Sequence, residues 1–206
     1  MKDRNPEETR REILRAADTL IRRRGVAKVT TRDIAREAGC ADGTLYKHFG
    51  TKEDLFLAVM LDSLPQIDAL LRPGSPNQTN IRERLNQIAV AAIRFFEQVL
   101  PHGVALLADS ELLCRHRERL TTKGSGPQIL YGKVASYIEA EQLLGHLNAA
   151  IQPSSAAALL LGPCFQWVLT KMVNGTGPLP ITETEYVALI TEGLLEGLSP
   201  KAPSRA

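Results

Sequence analysis

A short polar segment between Gly43 and Lys52 holds the side chains of this sequence that are best suited to binding chemistry. They are hydroxyl, imidazole and ammonium groups on Thr44, Tyr46, Lys47, His48 and Lys52. Such groups donate to phosphate oxygens and to base edges, which fixes the register of a protein on DNA and lets it recognise a sequence. Lys52 also lies at the predicted start of a helix, where free backbone N–H groups attract phosphate. The segment therefore predicts DNA recognition.

Three short helices must position these side chains. Thr30 and Asp33 form a near capping box that begins the first of them. Gly39 follows that helix and can adopt the left-handed conformation that a sharp turn requires. The second helix is predicted over Asp42–Phe49, and Thr51–Asp54 has the pattern of a capped start for the third. This helix, turn and helix arrangement is typical of a helix-turn-helix DNA-binding motif.

A helical wheel divides the second helix into a packing edge and a DNA-facing edge. The packing edge is predicted to contact Ile34, Ala35 and Ala38 and consists of Ala41, Leu45 and Phe49. Gly43 and Lys47 point away from that contact. Because an exposed glycine in a helix costs roughly 1 kcal/mol relative to alanine, close approach of the backbone to another molecule is its expected reason. The alternative is a generic three-helix bundle in which Tyr46 and His48 are half-buried surface residues.

The motif resembles that of the TetR/AcrR family of transcriptional regulators over about residues 10–60. The resemblance is carried by Ile13, Ala16, Ala17, Leu20, Gly25, Thr30, Thr31, Ile34, Ala35, Ala38, Gly39, Gly43, Thr44, Leu45, Tyr46, His48, Phe49, Lys52, Glu53 and Leu55. It implies a homodimer held by the last two helices, with a ligand pocket that controls two DNA-binding domains, usually in a repressor. By position, phosphate contacts fall on Thr31, Thr44, Tyr46, His48 and Lys52, and base contacts fall on Asp42, Gly43 and Lys47.

Two positions depart from the family pattern. Ala41 stands where the family commonly has a small hydroxyl residue, so the second helix loses an N-cap oxygen that Asp42 is expected to replace. The Asp42 carboxylate would repel phosphate unless it accepts from a cytosine amino group, which leaves the operator sequence open. Cys40 stands where the family usually has valine, and a small apolar filler is favoured over a redox switch.

Helical periodicity extends along nearly the whole chain, and no strand-like alternation of any length is present. An all-α fold is therefore predicted, with a helix-turn-helix domain at 1–55, a larger ligand-binding and dimerisation domain at 56–198 and a disordered tail at 199–206. Pro65 is expected to end or kink the fourth helix. The later helices are predicted near 80–99, 103–120, 127–144, 153–174 and 182–197.

The larger domain has candidates for a dimer interface and for a pocket. The helices near 153–174 and 182–197 are apolar on more than one face, which favours a homodimeric four-helix interface over a monomer with a central buried helix. The dimer candidates are Leu160, Leu161, Val168, Tyr186, Leu189, Ile190 and Leu194. Pocket candidates combine aromatic walls with a few polar groups: Phe95, Phe96, His102, Leu106, Asp109, Leu113, Tyr131, Tyr137, Phe165, Gln166 and Trp167.

Composition permits these assignments and disfavours others. The net charge of +2 allows DNA binding without requiring it. The three cysteines have no paired spacing, no secretory signal is apparent, and the apolar stretch Ala156–Val173 is better explained by a buried helix than by a membrane span. A cytoplasmic protein without cofactor or metal is expected. An enzyme has little support because the common catalytic motifs are absent, and the remaining alternative is a protein-interaction module without DNA binding.

Overall fold

Helices account for the regular structure of the chain. The computed structural model describes residues 5–25, 28–62, 67–73, 80–108, 110–123 and 128–197, and within these ranges it contains no strand. The helices are α1 (Pro6–Arg24), α2 (Thr31–Glu37), α3 (Asp42–Phe49), α4 (Lys52–Leu61), α5 (Ile81–Leu107), α6 (Ser110–Lys123), α7 (Gln128–Leu143), α8 (Pro153–Asn174) and α9 (Glu183–Glu196). The all-α prediction is confirmed.

Local sequence sets where the short N-terminal helices begin. At α2 the Thr30 side chain accepts from Asp33 N, and the Asp33 carboxylate accepts from the Thr30 backbone, which completes the capping box. The hydrogen bond from the Thr30 hydroxyl, and then that from its backbone N–H, hold the pKa of Asp33 below its ordinary value. At α4 the Thr51 side chain accepts from Asp54 N at 3.1 Å. Each cap satisfies a backbone donor that the first helical turn leaves open.

One predicted helix boundary is wrong. A break was expected between residues 99 and 103, but α5 continues through Pro101 to Leu107. An interior proline costs about 3 kcal/mol or more because it lacks an N–H and crowds the preceding turn. The turns after Pro101 remain helical because His102 is buried and Leu106 packs against the core around Ile13 and Leu45. Burial therefore outweighs the local preference of proline.

The chain forms two compact units whose boundary differs from the predicted division at residue 55. The first unit contains Met1–Pro65 and Glu97–Pro127, and the second contains Gln66–Phe96 and Gln128–Ala206. The core of the first unit includes Ile13, Leu20, Ile34, Leu45 and Leu55, all nearly inaccessible to solvent. In the second unit the most buried side chains include Ile88, Ile93, Leu130, Val134, Ile138 and Leu160. The expectations for Pro65 and for the tail at 199–206 lie outside the described residues.

Candidate nucleic-acid interface

The packing of α2 against α3 fixes the surface on which the predicted DNA-binding residues lie. Gly39 has φ of +63°, so the turn between the helices uses the left-handed conformation that glycine tolerates best. Leu45 and Phe49 are buried, as predicted for the packing edge. Ala41 is exposed, so its assignment to that edge was wrong. It precedes the first turn of α3, where it serves as an N-cap residue without a side-chain hydrogen bond.

The opposite side of α3, which is the predicted DNA-facing edge, is open to solvent. Gly43, Tyr46 and Lys47 are exposed, whereas Thr44 and His48 are half-buried. A Cβ atom built on Gly43 meets no other atom within 4 Å. Among the described residues, no packing contact therefore requires a glycine at this position. Close approach of the backbone to another molecule stays the predicted reason for it.

Two cross-helix contacts tie α2 to α3 beside this edge. The hydroxyl groups of Thr31 and Tyr46 lie 3.1 Å apart. Arg32 Nε lies 3.4 Å from Asp42 Oδ2, and the Arg32 side chain is 88% exposed. The expectation that Asp42 caps α3 was wrong, because its carboxylate pairs with Arg32 instead. A guanidinium beside this carboxylate offsets the repulsion that Asp42 alone would exert on phosphate.

Sequence reasoning missed Arg32 as part of this surface. The sequence shows that Arg32 is positively charged, but it does not show that Arg32 pairs with Asp42. The remaining predicted contact, Lys52, is half-buried with its ammonium 5.2 Å from the centre of the Phe56 ring. It lies in the first turn of α4, as the phosphate-site prediction requires.

The pocket candidates are distributed over the two compact units. Phe95, Phe96, Tyr131, Tyr137, Phe165, Gln166 and Trp167 belong to the second unit, whereas His102, Leu106 and Leu113 belong to the first, and Asp109 lies outside the described residues. Phe96 contacts Phe95 and Phe165 edge to face, with ring centres 5.6 and 5.5 Å apart. Gln166 is exposed, and Trp167 is buried with its ring 4.8 Å from that of Tyr186. Most of the aromatic candidates therefore pack within the core of the second unit.

A groove in the second unit includes one of these candidates. It has a volume of about 560 Å³ and is lined by Asp68, Leu71, Pro73, Ile129, Gly132, Lys133, Ser136 and Tyr137. Lys133 and Asp68 form an ion pair across it at 2.8 Å. Tyr137 is buried, and burial, followed by the nearby Glu141 carboxylate, raises the pKa of its hydroxyl. The groove is of a size that a small molecule can occupy.

The dimer candidates divide by exposure. Leu160, Leu161, Val168 and Tyr186 are at most 5% exposed, so they pack mainly inside the chain and offer little surface to a second copy. Ile190 and Leu194 are half-buried, and Leu189 is 53% exposed. On α8 one line of exposed or half-buried positions repeats every three or four residues. We call this set the α8 stripe: Leu159, Gly162, Gln166, Leu169 and Val173.

Two other expectations concern membranes and metals. Among the described residues, α8 alone is long and apolar enough to cross a membrane by length and composition, a test that core helices of soluble proteins also pass. Within those same ranges, no group of three or more His, Cys, Asp or Glu side chains is arranged to hold a metal ion. Cys164 is buried, and this burial raises the pKa of its thiol to about 12. A thiol of this kind packs as a small apolar group.

Comparisons with known proteins agree with this geometry. A model of the tetR family of bacterial regulatory proteins matches residues 13–59. The HTH-type transcriptional repressor KstR2 of Mycobacterium tuberculosis is 33% identical over 194 residues, or 90% of this chain and 92% of that protein. The HTH-type transcriptional regulator TtgR of Pseudomonas putida is 39% identical over 75 residues, but the match spans only 35% of its length. Salmonella enterica GusR has the same fold, with a TM-score of 0.68 at 22% identity over 96% of this chain and 100% of GusR.

Proposed function

This chain belongs to the tetR family of bacterial regulatory proteins, and from this premise we propose that it is a ligand-responsive transcriptional repressor. It binds a palindromic operator as a homodimer and is released by a small-molecule effector. The observation that carries the proposal is the DNA-facing edge of α3, where an unobstructed Gly43 adjoins exposed Tyr46 and Lys47. The repressor role is supported by KstR2, which is named as a repressor and aligns over nearly its whole length. The protein acts in the cytoplasm and needs no catalytic residue.

The arrangement suits the major groove of DNA. A groove about 12 Å wide admits one α-helix, and residues near the N-terminus of a recognition helix contact base edges there. Gly43 and Lys47 contact bases, while Thr31, Thr44, Tyr46, His48 and Lys52 contact phosphates. Asp42 enters the same surface together with Arg32, so its charge is already paired at 3.4 Å. This pairing removes the main reason for favouring a protein-interaction module that has lost DNA binding.

Direct DNA binding tests the proposal. We expect the full chain to bind duplex fragments from the region upstream of its own gene in fluorescence anisotropy, with affinity that falls as salt rises. Lys47→Ala should weaken this binding roughly 5- to 150-fold, which corresponds to the roughly 1–3 kcal/mol of one specific base contact. Lys171→Ala on α8 removes the same charge from the second unit and should leave affinity nearly unchanged. Absence of binding to any duplex at low salt contradicts the proposal.

A second experiment separates the roles of two arginines on α2. Arg32→Ala should lower operator affinity about tenfold, or roughly 1.4 kcal/mol, because it removes a cation and leaves the Asp42 carboxylate unpaired beside phosphate. Adding Asp42→Ala to this variant should restore part of the loss. Arg36→Ala is the matched control, because Arg36 pairs with Asp33 of its own helix at 2.7 Å. Equal losses for the two single arginine variants would remove Arg32 from the interface.

The effector is proposed to bind in the second unit. The groove beside Tyr137 and Lys133 offers about 560 Å³ and is lined by both apolar and polar residues, including an ion pair. Such a lining accepts a small molecule that has apolar and polar parts. A thermal-shift screen identifies candidate molecules, because a ligand that binds the native state raises the melting temperature.

A further inference from the structure

A buried histidine connects α5 to the first helix of the DNA-binding motif. His102 lies one residue beyond Pro101 and is only 4% exposed. Its Nε2 lies 3.1 Å from Asp18 Oδ1 on α1. Because an ionised carboxylate can only accept, the Nε2–H group donates this hydrogen bond, which fixes the orientation of the ring. Two residues that are 84 positions apart in the sequence thus share a bond within the first unit.

The acceptor in this bond is held in place from its own helix. Arg22 Nε donates to both oxygens of Asp18 at 2.9 Å. Burial acts to raise the pKa of Asp18, but the hydrogen bonds from His102 and then Arg22 outweigh it and hold the pKa below its ordinary value. Asp18 is therefore charged and oriented near neutral pH. One helical turn beyond His102, Leu106 adds an apolar contact with the core of the first unit.

We propose that His102 and Asp18 are positioning residues for DNA binding, and that their hydrogen bond fixes the orientation of α1 relative to the C-terminal turns of α5. The inference rests on the proposed function. Ile13, Ala17 and Leu20 of α1 pack in the same core as Ile34 of α2 and Leu45 of α3. A shift of α1 is therefore transmitted to the recognition helix, because a close-packed core does not deform freely.

The bond lies close to an interior proline of α5. Residues 81–96 of α5 belong to the second unit, and residues 97–107, which include Pro101 and His102, belong to the first. Pro101 removes one helical hydrogen bond inside the first unit. The bond from His102 to Asp18 therefore gives the turn that follows Pro101 a fixed partner on α1.

The sequence analysis listed His102 among the pocket candidates as one of a few polar groups beside aromatic residues. The structure buries His102 in the first unit with Asp18 as its partner. Its Nδ1 atom is buried and has no hydrogen-bond partner among the described residues. The imidazole therefore depends on Asp18 for its polar contact.

A double-mutant cycle on the full chain tests the proposal, with affinity for the operator fragment as the readout. His102→Ala and Asp18→Ala should each weaken binding roughly 3- to 30-fold, the range expected for residues that couple two elements. The double variant should lose no more than either single one, because both remove the same bond. The loss for Asp18→Ala cannot be electrostatic, since removal of a negative charge favours binding to DNA. His102→Gln, which retains an N–H donor, should recover most of the affinity.

The controls separate positioning from folding and from charge. Glu7→Ala removes the same charge from α1, where Glu7 pairs with Arg11 of that helix at 3.9 Å, and affinity should not fall. Circular dichroism must show each variant folded at the temperature of measurement. Asp18 is partly exposed and α5 is untouched in Asp18→Ala, so this variant suffices if His102→Ala does not fold. Wild-type affinity in Asp18→Ala, or losses that multiply in the double variant, overturn the inference. If the wild type binds no duplex, the proposed function has failed instead.

Discussion

Replacing Gly43 by leucine should abolish operator binding without destabilising the protein. The position is exposed on α3, and an added Cβ meets nothing within 4 Å of the isolated chain. The fold therefore accommodates a larger side chain at this position. The leucine side chain, however, keeps the DNA away from the α3 backbone, which the glycine allows it to approach. We expect a loss of more than about 100-fold, which corresponds to roughly 2.7 kcal/mol or more of binding free energy.

Gly43→Ala should raise the stability of the protein and lower its affinity for the operator, so this variant measures the two effects separately. Alanine in place of a helical glycine stabilises a helix by up to about 1 kcal/mol, or roughly 2–4 °C in melting temperature for a chain of this size. Operator affinity should nevertheless fall, because even one methyl group occupies the surface where the backbone approaches DNA. The measurements are thermal unfolding by circular dichroism and operator binding by anisotropy.

Gly132→Ala is the matched control for the unfolding measurement. Gly132 is an exposed glycine inside α7, and a Cβ built there also meets nothing within 4 Å. This variant should gain stability comparable to that of Gly43→Ala. If Gly43→Leu binds the operator as tightly as the wild type, α3 is not the recognition helix.

The helix-turn-helix was predictable because its signals are local. The cap at Thr30, the glycine turn at Gly39 and the helix Asp42–Phe49 each depend on residues within a few positions of one another, and the structure has them where they were expected. Short-range hydrogen bonds and helical periodicity determine such features, so one sequence suffices to place them.

The errors arose where tertiary contacts decide the outcome. Pro101 has a strong local signal to end a helix, but burial of His102 and packing of Leu106 keep α5 continuous. Asp42 was suited to capping α3 until Arg32, ten positions earlier, provided a partner. In both cases the deciding contact joins residues that are distant in the sequence. This tertiary contact outweighs the local preference of the residue.

The dimer prediction shows the same limit for an apolar helix. Periodicity identified α8 as apolar on several faces, but it could not tell which face the chain buries within itself. Leu160, Leu161 and Val168 face the core of the second unit, whereas Leu159 is 62% exposed. An interface between copies must use what the subunit leaves uncovered. The proposed dimer contact therefore moves from the predicted leucines to the α8 stripe together with Leu189 of α9.

Leu159→Glu combined with Leu189→Glu should convert the proposed dimer into a monomer. Both leucines are more than half exposed, and covering a leucine side chain contributes roughly 1.5–3 kcal/mol, so their loss and the introduced charges disfavour association strongly. Size-exclusion chromatography with light scattering measures the change in mass. Leu143→Glu is the control, because Leu143 is 85% exposed at the end of α7 and outside the α8 stripe.

The same variant should lose affinity for a palindromic operator although every residue of α3 is intact. Two linked DNA-binding units bind two half-sites with an avidity gain of roughly 10²–10⁴ over one unit, and a monomer forfeits that gain. Binding to a fragment with a single half-site should be weak and equal for the variant and for wild type diluted below its dimer dissociation constant. If the double variant remains dimeric, the α8 stripe is not the interface. If it is monomeric and still binds the palindrome at wild-type affinity, DNA recognition does not require the dimer, because one α3 helix then supplies the whole binding free energy.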